Sequence, residues 1–459
     1  MKKIILLLIL ISGYASVFSQ EIIGSWAGEL NVQGRKIPLI FNIKKIGDTY
    51  ESTADSPMQG AKDIPIDNTI FSNDELLLDA KKLGFQYKGK FENQTITGTF
   101  SQGGMTIDLV LSRKKENEFE LKRPQEPKAP FNYIIQEVTF TNPKDNNILA
   151  GTLTLPKDKK EFPIAVLITG SGQENRDSEI FGHKPFWVIA DDFAKKGIGV
   201  LRIDDRGIGG SSKGNNNDTS ENFAGDINSA VDFLSKKGYK NIGLIGHSEG
   251  GLIAPMVAAK NKNVKFLISM AGPGVSIDEL LLLQTKALSK SNGASEEEII
   301  ATSAFNKKLY SFIKNYDGTN LETEIRPIFI EELKKSFANE LPSETELNQY
   351  VDDQMQQITN PWFVYFIKSN PQDYWSKLKI PVLAINGTKD LQVIATENLA
   401  GIKKALEKAG NKKFEIKSFE GLNHLFQTAT TGAVSEYVTI EETISPAVLN
   451  TISNWILKQ

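Results

Sequence analysis

The segment Ile245-Gly246-His247-Ser248-Glu249-Gly250-Gly251 places one hydroxyl between two glycines, each two residues away. It follows the apolar run 241–245 and precedes Leu252, Ile253, Met256 and Val257, which share one helical face. A G-x-S-x-G element between a strand and a helix forms a nucleophile elbow. The glycines remove side chains that would clash at the sharp turn, and the first helical turn aims amides, that of Glu249 included, at developing negative charge.

A serine hydroxyl attacks poorly until a base takes its proton. Three imidazoles are present, His183, His247 and His424. His247 flanks the serine and reads as a packing residue. His183 opens the helical stretch His183-Lys184-Pro185-Phe186-Trp187, where pocket lining and a structural role at the helix start both stay open. His424 lies just beyond the last apolar strand, on a loop that can return to the elbow, and is the expected base. Asp390, ending Ile385-Asn386-Gly387-Thr388-Lys389-Asp390, is the acid expected to orient it. The plainer alternatives are a turn-capping Asp390 and a surface His424. Ile168-Thr169-Gly170-Ser171-Gly172-Gln173 follows another apolar run, and Gly170 and Gly172 permit close backbone approach to a substrate oxygen. Gln173, to within one or two residues, is the candidate for a second oxyanion amide. Asp204, Asp205 and Arg206 read as a salt-bridged structural corner.

Composition narrows the chemistry. The 459 residues contain no Cys, which excludes disulfides, thiolate nucleophiles and thiolate metal sites. Three His argue against His-rich metal centres, and neither a metal nor a cofactor is expected. With 53 basic against 56 acidic residues there is no cationic excess for a phosphate backbone, so nucleic acid is not an expected partner. Lys2, Lys3, the apolar run 4–11 and Val17-Phe18-Ser19 have the order of an export signal cut ahead of Gln20. A signal peptide at 1–19 is expected, and with it a periplasmic or secreted protein that is not integral to a membrane.

The positioning elements follow. Residues 20–113 alternate in short β stretches broken by turn signals such as Ile46-Gly47-Asp48 and Glu92-Asn93-Gln94, about eight strands in a small antiparallel barrel or sandwich. The charged, Pro-rich stretch 114–130 reads as a linker. From 131 to 459, apolar runs at 134–141, 148–155, 164–169, 199–203, 241–245, 264–270, 380–385 and 413–419 alternate with helical patterns. This predicts an α/β domain with a mostly parallel central sheet flanked by helices. The final helix is signposted by Ser445 as N-cap and Pro446 in the first turn. About 110 residues between Met270 and Ile380 show amphipathic helical pieces and no strand, the form of a lid at about 273–378.

Residues from about 130 onward resemble the α/β-hydrolase superfamily, in its branch of exported serine esterases with an N-terminal β domain. The resemblance is carried by Gly170-Ser171-Gly172, Gly182-His183-Lys184-Pro185-Phe186, Asp204-Asp205-Arg206-Gly207, Gly246-His247-Ser248-Glu249-Gly250-Gly251, Asn386-Gly387-Thr388-Lys389-Asp390 and Leu422-Asn423-His424-Leu425-Phe426. It implies Ser248 as nucleophile, Asp390 as acid and His424 as base, in the chain order of that fold. It implies no metal, and a hydrolase more firmly than any one substrate, because this fold serves esters, amides and other acyl compounds. The first expectation is a carboxylic-ester hydrolase acting on a small acyl ester. Gln173-Glu174-Asn175 departs from relatives that place Pro after the Gly-Ser-Gly. Two rivals remain. One is an aminopeptidase-like serine peptidase, with Glu322, Glu324, Glu331 and Glu332 as an acidic lid patch for a substrate amine. The other is a glycan-binding protein whose hydrolase domain is vestigial.

Overall fold

The computed structural model describes residues 22–32, 35–116, 118–119, 121–336 and 343–459. The signal peptide expected at 1–19 lies outside the described residues. The chain divides into two compact units, Met1–Glu120 and Leu121–Gln459.

Among the described residues of the first unit, nine strands form one antiparallel sheet, and the strands Ala61–Pro65 and Asn68–Ser72 are its edges. Alternation sets the buried face: along Phe85–Glu92 every second side chain is buried. The inward set, with Trp26, Phe41, Tyr87 and Phe91 among it, makes one core. The sheet curls until Phe71 meets Tyr50 edge-on at 6.0 Å and the Ser52 and Thr69 hydroxyls lie 2.5 Å apart. The curled sheet is the barrel-like option, and a two-sheet sandwich is not formed. At the expected hairpin 92–94, Asn93 and Gln94 both take positive φ, as a tight primed turn requires.

The Pro-rich stretch is not a free tether throughout. From Leu121 it belongs to the second unit: the Arg123 guanidinium donates to the Phe181, Val438 and Ile440 carbonyls, and Gln125 bonds the backbone of Thr443 and Ile444. A proline-stiffened strand leaves its polar side chains free to bond backbone groups beside it, so composition alone does not reveal the attachment.

The second unit is built on eight strands: β1 (Tyr133–Asn142), β2 (Asn147–Pro156), β3 (Ile164–Ile168), β4 (Gly199–Ile203), β5 (Ile242–His247), β6 (Val264–Met270), β7 (Val382–Gly387) and β8 (Phe414–Phe419). Their spatial order is β1-β2-β4-β3-β5-β6-β7-β8, with β1 and β2 antiparallel and β3 to β8 parallel. All eight expected runs are strands, to within about two residues at each end. β3 is buried at all five positions, as a central strand covered on both faces must be.

Helices α1 (Pro185–Lys196), α2 (Ser220–Lys236) and α3 (Gly250–Ala258) precede the insertion. The insertion between β6 and β7 carries α4 (Ile277–Ser291), α5 (Glu296–Asn315), α6 (Leu321–Ser336), α7 (Glu344–Ile358), α8 (Pro361–Lys368) and α9 (Gln372–Trp375). After it come α10 (Ala395–Lys408) and α11 (Pro446–Ile456). Apolar side chains of α2, α3 and α10 cover one face of the sheet, and those of α1 and α11 the other. Pro446 stands in the first turn of α11 as expected, whereas the Ser445 side chain makes no capping bond. The insertion has its own core, including Ile313, Ile325, Val351 and Met355, so it is a packed helical layer.

Trp375 closes the insertion onto the sheet layer. It is fully buried and its indole donates to the Pro273 carbonyl at 3.0 Å. Trp375→Ala should destabilise the second unit by about 3–5 kcal/mol, read as a lower urea midpoint in near-ultraviolet circular dichroism. An unchanged midpoint would show that the return from the insertion is not anchored there.

Candidate active site

β5 delivers Ser248 to the carboxyl edge of the sheet, and the chain then reverses into α3. Ser248 has φ of 54°, a left-handed conformation that non-glycine residues seldom adopt. Its amide donates to the Met270 carbonyl at 3.0 Å, and its own carbonyl accepts from the Gly251 amide at 2.8 Å. Close packing makes the flanking glycines obligatory. A Cβ on Gly246 would stand 2.0 Å from the Gly250 carbonyl oxygen, and one on Gly250 2.4 Å from that of Ile168.

Asp390 and His424 come together across 34 residues of sequence. His424 Nδ1–H donates to Asp390 Oδ2 at 2.8 Å, and both side chains are almost fully buried. The other Asp390 oxygen accepts from the amides of Gln392 and Val393 at 2.8 and 2.9 Å. The carboxylate is therefore fixed by backbone on one side and orients the imidazole on the other. His247 donates from Nε2 to the His424 carbonyl at 2.9 Å, its ring 4.7 Å from the His424 ring. Burial, then the neighbouring His424, hold His247 down to about 4, so it is neutral and acts as a strut for the His424 loop.

Ser248 and His424 line one cavity of about 400 Å³. Leu280, Leu281 and Gln284 of α4 and Trp362, Phe363 and Phe366 of α8 contribute its walls, so the inserted helices do roof this site. The loop after β3 enters through Gly170 and Ser171. A Cβ on Gly170 would lie 3.3 Å from Ser248 Cβ, which places that backbone against the serine. Gln173 lies elsewhere: its side chain donates to the Arg206 carbonyl at 3.0 Å and lines an adjoining cavity.

The other sequence candidates fall into structural roles. His183 is fully buried outside the cavity lining, donating from Nε2 to the Tyr437 carbonyl at 3.0 Å and accepting from the Thr443 hydroxyl at 2.9 Å. Arg206 is buried against Asp145, Asp218 and Asp226, and Asp204 accepts from Arg176 and the Gly210 amide. Asp205 departs from that corner. It accepts from the Thr169 hydroxyl and the Glu174 amide and pairs with no cation in these bonds. On the insertion, Glu322 pairs with Arg326, Glu331 and Glu332 with Lys335, and Glu324 with the Tyr316 hydroxyl. None of the four lines the cavity holding Ser248.

Three acidic residues line it, Glu174, Glu179 and Glu249, and local pattern assigned a role to none of their carboxyls. Glu249 is 2% exposed and accepts from the Ser220 hydroxyl and the Trp362 indole. Glu174 accepts from the Gly170 amide at 3.1 Å and the Ser178 hydroxyl at 2.5 Å. Burial raises the Glu174 and Glu249 carboxyls above their ordinary range. The partners of Glu249 come from distant segments, whereas Glu174 bonds groups four residues away along its own loop, where the departure Gln173-Glu174-Asn175 was the only hint. Among the described residues no group of His and acidic side chains is placed to hold a metal ion, and no helix is long and apolar enough to cross a membrane.

A hydroxyl at a strained turn, an imidazole oriented by a carboxylate and close backbone amides can together attack an acyl carbon and hold the resulting oxyanion. The surrounding acids also predict a stability profile. Burial pushes the Asp205 carboxyl up to about 7, against the downward pull of its two hydrogen bonds. The folded state then binds a proton that the unfolded chain releases near pH ~4. The contribution of Asp205 to stability is greatest below that value and is lost as pH rises to about 7. Asp205→Asn should flatten that decline in the urea midpoint between pH 4 and 8, and equal slopes for both proteins would refute it.

Residues 186–428, just over half of the chain, match the family described as serine aminopeptidase, S33. The chain is 24% identical over 387 residues to the esterase EstD of Thermotoga maritima, covering 84% of this chain and 82% of the relative. Similar solved structures include an esterase of Pyrococcus furiosus, at 18% identity and a TM-score of 0.42, covering 74% of this chain and 98% of that one. Another is Est1E of Butyrivibrio proteoclasticus with ferulic acid bound, at 16% identity and a TM-score of 0.40, covering 69% of this chain and 96% of that one. With the sheet order and the elbow, the family match identifies the chain as an α/β hydrolase belonging to the serine aminopeptidase S33 family.

Proposed function

We propose that the protein is a carboxylic-ester hydrolase working through an acyl-enzyme. The carrying observation is that Ser248, on its left-handed turn, and the Asp390-held His424 line the same cavity. His424 takes the Ser248 proton as the oxygen attacks the acyl carbon, and Asp390 stabilises the charged imidazole. The amides of Glu249 and Ser171 receive the oxyanion. Ser171 replaces Gln173 in this role because Ser171 lines the cavity and Gln173 does not. The proton then passes to the leaving alcohol, and water repeats the cycle on the acyl-enzyme. The similarity to the esterase EstD supports an ester substrate.

The family description supports a second reading, hydrolysis of an aminoacyl amide. Of the three acids lining the cavity, Glu174 and Glu249 are engaged by internal donors, whereas Glu179 is exposed and accepts from the Asn175 side chain at 3.4 Å. The similarity to EstD ranks this reading second. The order of residues 1–19 supports export to the periplasm or medium.

Three results are expected. p-Nitrophenyl acetate and butyrate should be hydrolysed faster than aminoacyl-naphthylamides, and a fluorophosphonate probe should label Ser248; the reverse preference would favour the peptidase. Ser248→Ala and His424→Ala should each lower kcat by about 10⁴–10⁶-fold and the double variant little further, whereas additive losses would mean the two do not act together. Fractionation of expressing cells should recover a chain beginning at Gln20 outside the cytoplasm; an intact Met1 terminus would refute export.

A further inference from the structure

The 400 Å³ chamber shares Gly170, Ser171 and Trp362 with the second cavity, of about 710 Å³. One side of the second cavity is apolar, formed by Leu149, Phe223, Ile227 and Ile253. Among the charged groups in its lining, Arg206 is engaged with Asp226 and Asp145, and Asp205 with the Thr169 hydroxyl and the Glu174 amide. Of the three shared residues, one is glycine and one is serine, so the bulk between the chambers is the Trp362 indole.

That indole is held from several sides. Nε1 donates to both oxygens of Glu249, at 3.0 and 3.2 Å, and one of these oxygens also accepts from the Ser220 hydroxyl at 2.5 Å. The ring stacks on Phe366, with centroids 5.4 Å apart and planes within 12°. Asn360 caps the start of α8 through the Trp362 amide at 2.8 Å. Swinging the indole aside would strip a donor from a buried carboxylate, which a low-dielectric site penalises.

We propose that Trp362 is a specificity-determining partition that confines the acyl group to the smaller chamber, with the second cavity an acyl subsite closed off behind it. The proposal rests on reading Ser248 as the nucleophile of an ester hydrolase. The chemical class that would enter the second cavity is a linear acyl chain of medium length, because its apolar residues offer burial at about 25 cal/mol per Å².

The test compares kcat/KM for p-nitrophenyl octanoate and acetate in wild-type protein, Trp362→Ala and Trp362→Leu, with thermal unfolding recorded for each. Trp362→Leu keeps an apolar side chain on α8 and guards against loss of folding. The octanoate-to-acetate ratio should rise at least about tenfold in both variants, equivalent to about 1.4 kcal/mol of relative transition-state binding. A ratio unchanged in folded variants that still hydrolyse acetate would overturn the partition while leaving the hydrolase reading intact. Absence of ester turnover in the wild-type protein would instead overturn the hydrolase reading itself.

Discussion

A non-glycine residue held at φ of 54° is the constraint around which the second unit is arranged. Such a backbone costs on the order of 1–3 kcal/mol and persists only where its surroundings over-determine it. The surroundings here are the β6 carbonyl that receives the Ser248 amide and the α3 amide that closes the turn. Close backbone crossings add to this, since Gly246, Gly250 and Gly251 each leave no room for a Cβ. A turn so tightly packed needs flanking strands on both sides, and β5 has β3 and β6. The central sheet thus supplies the rigidity that keeps one hydroxyl exposed at its edge.

Buried acids form the next layer of support. Glu174 anchors the Gly170 amide, Asp205 anchors the Glu174 amide, and Glu249 holds the roof through Trp362. Each carboxyl is raised by burial, so each costs stability in its charged form and is retained against that cost. The shared consequence is position: the loop after β3, the elbow and α8 are tied into one wall. His247 does the same for the opposite wall through the His424 carbonyl.

Local pattern was enough for every strand of the α/β sheet, because continuous apolar runs between helical patterns have few other ways to be buried. It was also enough to bring Ser248, Asp390 and His424 forward as candidates, since each sits directly after such a run. Local pattern did not place the second oxyanion amide. Sequence put it at Gln173 to within one or two residues, and within that window it is Ser171 that lines the cavity with Ser248, on the turn whose Gly170 amide bonds Glu174. Nor did it reveal that residues 121–130 bind the second unit, because side-chain to backbone bonds carry no periodic signature.

By itself the sequence determined the two-unit plan, the strand list of the α/β sheet and the residue types available for chemistry, with thiols absent and imidazoles limited to three. Those properties follow from composition and from the periods of strand and helix, which are local. Tertiary structure alone decided that His183 is a brace, that the acids of α6 lie outside the cavity lining, and that Trp362 lines both chambers. These outcomes depend on which distant segments meet, and the burial and hydrogen bonding that settle them arise only after the chain has folded.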